Sequence, residues 1–149
     1  MFYKVSEISE VPFDLLLMAD PSRKHIVKCL AEGSCYVLSD NSNIIGSCII
    51  KALSSDVLEI TNIAVIESKQ GQGLGKFIID KICRQAEQEG YKSIRVATGN
   101  SSIGQLAFYQ KVGFRITGVE LDYFINNYEE VIYEYGILCR DLIKLVKEL

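Results

Sequence analysis

Lys69-Gln70-Gly71-Gln72-Gly73-Leu74-Gly75-Lys76 is the stretch on which the fold turns. Three glycines alternate in it, and it runs straight into Phe77-Ile78-Ile79-Asp80-Lys81-Ile82-Cys83-Arg84-Gln85-Ala86. Apolar residues at Leu74, Ile78, Ile82 and Ala86 recur every fourth position and mark one helix face, which Gly90 ends. Residues 57–66 before the loop and 93–97 after the helix are β-rich. Strand, glycine loop, helix, strand is a βαβ unit, which calls for a parallel pair of strands.

The flanks extend the pattern. Residues 2–6 read as a short strand, and residues 12–19 and 23–31 as helices separated by Asp20-Pro21-Ser22 and ended by Gly33. Residues 35–39 and 44–53 read as strands around the turn cluster Asp40-Asn41-Ser42-Asn43. The first half is therefore expected to be an antiparallel meander. Beyond the βαβ unit, residues 103–111 form a helix stopped by Gly113, and residues 114–119 and 139–146 form strands. Between those two strands lies a long acidic, tyrosine-rich connection, residues 121–137. Connections of that length in a domain are usually functional or disordered, and the aromatic content argues against disorder. The expected fold is α/β (α+β): a mixed, mostly antiparallel sheet with a parallel central pair and helices on both faces. No linker, repeat or low-complexity tract divides the 149 residues, so one domain, 1–149, is expected.

Composition narrows the function classes. A chain that is 48% hydrophobic and 23% charged is not intrinsically disordered. A net charge of −3 gives no general pull toward phosphate backbones, so no nucleic-acid partner is expected. Cys29, Cys35, Cys48, Cys83 and Cys139 are odd in number and form no CxxC pair, and the one histidine, His25, has no cysteine pair near it in sequence. They read as reduced core thiols rather than zinc ligands, which fits a reducing cytoplasm and no bound metal. Residues 1–10 lack the basic and apolar regions of a signal peptide, and no apolar stretch approaches the ~20 residues that span a bilayer, so no membrane association is expected.

Glycine loops of three kinds precede helices. A P-loop needs four residues between its glycines and a hydroxyl after the lysine. Here three residues separate Gly71 from Gly75, and Phe77 follows Lys76. A dinucleotide fingerprint needs its third glycine one position later. In the third kind, glycines let the backbone bend against a ligand while the first-turn N–H groups and the helix dipole hold a pyrophosphate, with Lys76 adding charge.

Gln70-Gly71-Gln72-Gly73-Leu74-Gly75 after Asn62-Ile63-Ala64-Val65 resembles the acetyl-coenzyme A loop of the GCN5-related N-acetyltransferases, the GNAT superfamily. Phe108-Tyr109-Gln110-Lys111-Val112-Gly113-Phe114, about 35 residues on, resembles that family's LYEKLGF segment, and Asp141-Leu142-Ile143-Lys144-Leu145 resembles its last strand. The resemblance implies direct transfer of an acetyl group from acetyl-CoA to a primary amine in a ternary complex. It assigns the pantetheine arm to backbone groups around Ile63, Ala64 and Val65, where an N–H could also polarise the thioester carbonyl. It assigns the pyrophosphate to Gln70, Gly71, Gln72, Gly73, Leu74, Gly75 and Lys76, with Lys111 as a further cofactor contact.

Tyr109 matches the family's acid, which protonates the departing thiolate; a phenol with an ordinary pKa of about 10 carries its proton at neutral pH. A core tyrosine on an amphipathic helix is the plain alternative. Glu59, six residues before Val65, matches a glutamate that serves as general base in several members; a structural acid or salt-bridge partner is the other reading. The family often has an asparagine seven residues before the tyrosine. Ser102 stands there, and Asn100 is the nearest asparagine, so either is a candidate cofactor contact.

Acids among aromatics in residues 121–137 suit a cationic amine through charge and cation–π contact, with Asp122, Tyr123 and Tyr128 as candidate acceptor residues. A solvated acidic surface is the competing reading. A small cationic amine is the favoured acceptor; a protein N-terminus or lysine, and a non-catalytic acyl-CoA-binding module, are the alternatives. A homodimer is compatible with all of these.

Overall fold

Four antiparallel strands in the order β1-β2-β3-β4 organise residues 1–92. They are β1 (Phe2–Lys4), β2 (Ser34–Asp40), β3 (Asn43–Ala52) and β4 (Val57–Val65); short turns join β2 to β3 and β3 to β4 where the sequence places them. At the β2–β3 turn Asn41 and Ser42 both take positive φ, which short polar side chains tolerate best. Helices α1 (Phe13–Ala19) and α2 (Arg23–Glu32) lie between β1 and β2 in the chain, and α3 (Leu74–Gln88) follows β4. The computed structural model describes all residues, 1–149, as two units, Met1–Lys92 and Ser93–Leu149.

Within the first unit the strands bury both faces. Leu16 of α1 and Ile26 and Cys29 of α2 pack with Cys35, Val37 and Ile49 on one face. On the other, Ile78 of α3 approaches so close to Gly46 that a Cβ there would lie 2.9 Å from its Cδ1. Helices thus cover both faces, as the near-continuous apolar run of β3 requires. Ile78, Ile79, Ile82 and Ala86 of α3 are fully buried, each isoleucine contributing about 1.5–3 kcal/mol. Leu74, expected on that face, is only half-buried, being the first residue of the helix.

The second unit carries β5 (Ser93–Gly99), α4 (Ile103–Lys111), β6 (Arg115–Glu120), α5 (Tyr123–Asn127), the hairpin β7 (Tyr133–Glu134) and β8 (Ile137–Leu138), and β9 (Leu142–Glu148). β9 pairs antiparallel with β5 on one side and β6 on the other. The expected long connection therefore contains a helix and a hairpin. The last strand starts at Leu142 rather than 139, because the Arg140 and Asp141 N–H groups bond the Asn100 side chain and the Cys139 N–H bonds the Ile132 carbonyl instead of a strand ladder. All five cysteines are free thiols, four of them buried. No helix is long and apolar enough to cross a membrane.

Candidate active site

The glycine loop is built for donors. After β4 the chain makes a short helical turn at Glu67–Lys69 and then passes Gly71 at φ 78° and Gly73 at φ 81°, the left-handed region that favours glycine. Gly73 is the N-cap of α3 and offers no side chain to the helix; the first intrahelical bond runs from Phe77 N–H to the Gly73 carbonyl at 3.0 Å. The N–H groups of Leu74, Gly75 and Lys76 therefore find no carbonyl within the helix, and the dipole adds partial positive charge there. A Cβ at Gly71 or Gly73 would meet nothing within 4 Å, so the loop opens on free space. These residues fit a pyrophosphate. Gln70 closes the turn, its Nε2 donating to the Val65 carbonyl at 2.9 Å. Lys76 pairs with Asp80 one turn along, at 2.7 Å and exposed.

β4 carries a bulge at its middle. Ile49 is opposite Asn62 and Ile50 opposite Ile60, so Thr61 is the extra residue. Bulges of this kind re-aim side chains beside functional positions. Glu59, just before the bulge, is buried and lies opposite Lys51, whose ammonium it helps hold charged after the larger effect of Glu32. Ile63, Ala64 and Val65 lie just after the bulge. Asn62 was not singled out by sequence. Its Nδ2 donates to the Leu16 carbonyl at 3.1 Å, tying α1 to β4, while its buried Oδ1 accepts nothing from the chain. Such an acceptor costs about 1–3 kcal/mol; the only signal for it is a polar residue at an inward position of an apolar strand.

Tyr109 is the one buried residue of α4. Its ring packs 5.5 Å from Phe108 and edge-on 5.7 Å from Phe114. Burial alone pushes the phenol well above its ordinary range, with no charged or hydrogen-bonding neighbour contributing. Lys111 closes the same helix. At the other end, Ser102 is the N-cap, and its Oγ donates to Glu134 Oε1 at 2.8 Å; Ser101 donates to the same oxygen at 3.0 Å. The Glu134 carboxylate thus lies at the positive end of α4. Asn100 binds its own chain: Nδ2 donates to the Leu138 carbonyl, and Oδ1 accepts the Arg140 and Asp141 N–H groups, all within 3.0 Å.

The three acceptor candidates come together. Asp122 precedes α5 in a left-handed conformation, with its backbone N–H on Asp141 and its carboxylate on Arg140 at 2.9–3.0 Å. Tyr123, Phe124 and Tyr128 form one aromatic cluster, with centroids 5.1–6.5 Å apart. No group of three or more His, Cys, Asp or Glu side chains is placed to hold a metal ion.

The turn before α3 leaves first-turn donors open, and α4 buries a phenol. The profile of the Acetyltransferase (GNAT) family matches residues 3–114. The Uncharacterized N-acetyltransferase YvbK of Bacillus subtilis is 40% identical over 143 residues, 96% of this chain and 92% of its own length. A GNAT family acetyltransferase from Elizabethkingia anophelis, solved with acetyl-CoA bound, is 41% identical with a TM-score of 0.96, covering 100% of this chain and 97% of that one. An IAA acetyltransferase from Bacillus cereus is also 41% identical, with a TM-score of 0.94 and coverage of 100% and 99%. The chain belongs to the GNAT family of acetyltransferases. It has that family's mixed α/β fold, and acetyl-CoA is the co-substrate.

Proposed function

We propose that the chain acetylates a primary amine by direct transfer in a ternary complex, with a small cationic amine as acceptor, in a reducing cytoplasm. Acetyl-CoA supplies the activated thioester when bound. The first-turn N–H groups of α3 and the turn at Gln70–Gly73 hold its pyrophosphate, and backbone around Ile63 to Val65 aligns the pantetheine arm. The observation that carries the reading is Tyr109: burial keeps its proton on at neutral pH, so the phenol can donate to the departing sulfur. Glu59 takes the proton from the amine, from its place opposite Lys51. The acceptor's positive charge rests on the Tyr123–Phe124–Tyr128 cluster by cation–π attraction. Asp122, engaged by Arg140, sets the position of that cluster rather than contributing a bare charge.

Thiol release from acetyl-CoA with a panel of amines tests this. Tyr109→Phe is expected to lower kcat by about a hundredfold or more, with acetyl-CoA affinity within about twofold of wild type. Unchanged kcat makes Tyr109 a core residue. Tight acetyl-CoA binding with no release for any amine, peptides with free N-termini or lysines included, leaves a non-catalytic acyl-CoA-binding module. Because burial raises the phenol, kcat should also show no loss on the alkaline side as pH approaches the ordinary phenol value of about 10.

A further inference from the structure

The bulge in β4 puts Glu59 and Asn62 on one face of the sheet. Ile49 and Lys51 flank Ile50 on β3, so their side chains leave the same face. Directly opposed residues of an antiparallel pair also share a face. Asn62, opposite Ile49, and Glu59, opposite Lys51, therefore lie on that face together. It is the face that α1 and α2 cover: Ile49 packs with Leu16 and Ile26, and the Lys51 ammonium meets Glu32 of α2 at 3.0 Å. In a regular strand Glu59 and Asn62 would point to opposite sides. Thr61, the extra residue, makes them neighbours, about 7 Å apart along the strand. Its Oγ1 donates to the Ile49 carbonyl at 3.3 Å, across the bulge.

Both residues are buried, Asn62 at 6% exposure and Glu59 at 9%. The Leu16 carbonyl orients the Asn62 amide. Nδ2 donates to it at 3.1 Å, and the reversed amide would set two acceptors against each other. Oδ1 is thus turned away from that carbonyl, and no donor of the chain reaches it. Its neighbours on this face do not supply one. Ile49 and Ala64 are apolar, and Ser47, opposite Ala64, donates its hydroxyl to the Tyr36 carbonyl at 2.9 Å. A buried acceptor of this kind is where ordered water binds, given a second polar group to share it. Along β4 on this face that group is the Glu59 carboxylate. A water bonded to two oxygens separates them by roughly 5 Å, which side chains one pleat repeat apart can bracket.

We propose that Asn62 is a positioning residue of the acetyl transfer: its Oδ1 holds a buried water against the Glu59 carboxylate, and the amine loses its proton through that water. The inference rests on the assignment of Glu59 as the base. One hydrogen of the water goes to Asn62 and the other to Glu59, which leaves a lone pair for the acceptor. The water oxygen takes a proton from the ammonium form of the acceptor while its own hydrogen passes to Glu59. The electron pair of the broken N–H bond stays on nitrogen, which becomes the neutral nucleophile. The water is regenerated and Glu59 is left as the neutral acid. An amide suits the task because its oxygen accepts a hydrogen bond without competing for the proton.

A crystal structure of the wild-type protein, at a resolution that shows ordered water, tests the site. One water should lie within about 3.2 Å of both Asn62 Oδ1 and a Glu59 oxygen. No water there, or one bonded to Asn62 alone, overturns the proposal. Kinetics test the role, by thiol release from acetyl-CoA with the amine of the panel that reacts fastest. Asn62→Leu keeps the volume and removes the oxygen. It should lower kcat about tenfold, with KM for the amine and acetyl-CoA affinity within about twofold. Glu59→Gln should lower kcat about a hundredfold. Adding Asn62→Leu to it should cost no more than about a further twofold, since the water then has no base to serve. Asn62→Leu also loses the bond to Leu16, but that loss is the same in both backgrounds. An equal cost in the two makes Asn62 a structural residue and overturns the proposal while leaving Glu59 as the base. Wild-type kcat in Glu59→Gln overturns the assignment of Glu59, and the proposal with it. Should Asn62→Leu fail to fold, the water site of the wild type decides.

Discussion

The turn at Gln70–Gly73 and the segment from Asp122 to Asp141 treat their polar groups in opposite ways. At the turn, α3 begins without a side-chain cap, two glycines open on empty space, and the first-turn N–H groups stay available. In the segment, polar side chains bind the same part of the chain: Asn100 the backbone of Leu138, Arg140 and Asp141, Asp122 the Arg140 guanidinium, Glu134 the hydroxyls of Ser101 and Ser102. Backbone donors left unpaired cost stability and persist where a ligand completes them. Side chains that complete one another stabilise a loop and are not thereby ligand groups. The difference separates a turn whose donors are open from a segment that is largely self-satisfied.

Removing one member of the self-satisfied network tests this division most strongly. Asn100→Ala deletes three hydrogen bonds to backbone groups, and at roughly 1 kcal/mol each the variant should lose about 2–3 kcal/mol of stability in chemical denaturation. Its acetyl-CoA affinity should stay within about twofold. A cofactor role for Asn100 predicts the reverse, weak binding with stability kept. Gly73→Val should act on the open side. A β-branched residue at φ 81° costs about 1–2 kcal/mol, and the turn must shift to relieve it. Acetyl-CoA affinity by calorimetry should fall about tenfold, with a loss of stability no larger than that of Asn100→Ala. Full affinity in Gly73→Val would mean that the turn is only a connection.

The two regions were also unequally legible in the sequence. Alternating glycines let the backbone bend just before a helix period, so the turn and the helix could be read from residues 69–86 alone. The same holds for α4, whose start at Ile103, end at Lys111 and stop at Gly113 (φ 104°) follow the local signals. The hairpin in residues 133–138 was hidden because its two-residue turn is Tyr135-Gly136, with Tyr135 at φ 54°, where Asn-Gly or Asp-Gly is the usual signal. The acids of that region looked like a ligand surface because composition does not show that Asp122 would meet Arg140, 18 residues on, or Glu134 the cap of α4. Asn62 was passed over because a single polar residue in a strand gives no hint that its oxygen is buried without a partner.

Asp122→Asn gives a smaller effect and bears on the acceptor. The pair with Arg140 is half-exposed, so its loss should lower stability by at most about 1 kcal/mol. If Asp122 only seats α5, KM for a cationic amine should rise no more than about threefold and kcat should hold. A tenfold rise confined to charged amines, absent for neutral analogues, would instead return the carboxylate to the acceptor and shrink the contrast between the two regions.

Lys76→Ala should do least. Its ammonium is 60% exposed and already holds Asp80 at 2.7 Å, so turning toward a phosphate exchanges one exposed pair for another. Attraction at that exposure is worth a few tenths of a kcal/mol and is screened within about 10 Å at ordinary ionic strength. The fixed N–H groups of the first turn need no such exchange. Acetyl-CoA affinity in Lys76→Ala should therefore fall no more than about threefold at low salt, and the difference from wild type should vanish at high salt. A loss that persists at high salt would mean that the cradle is a side-chain site, and that the backbone donors at Leu74, Gly75 and Lys76 hold less of the phosphate than their geometry provides.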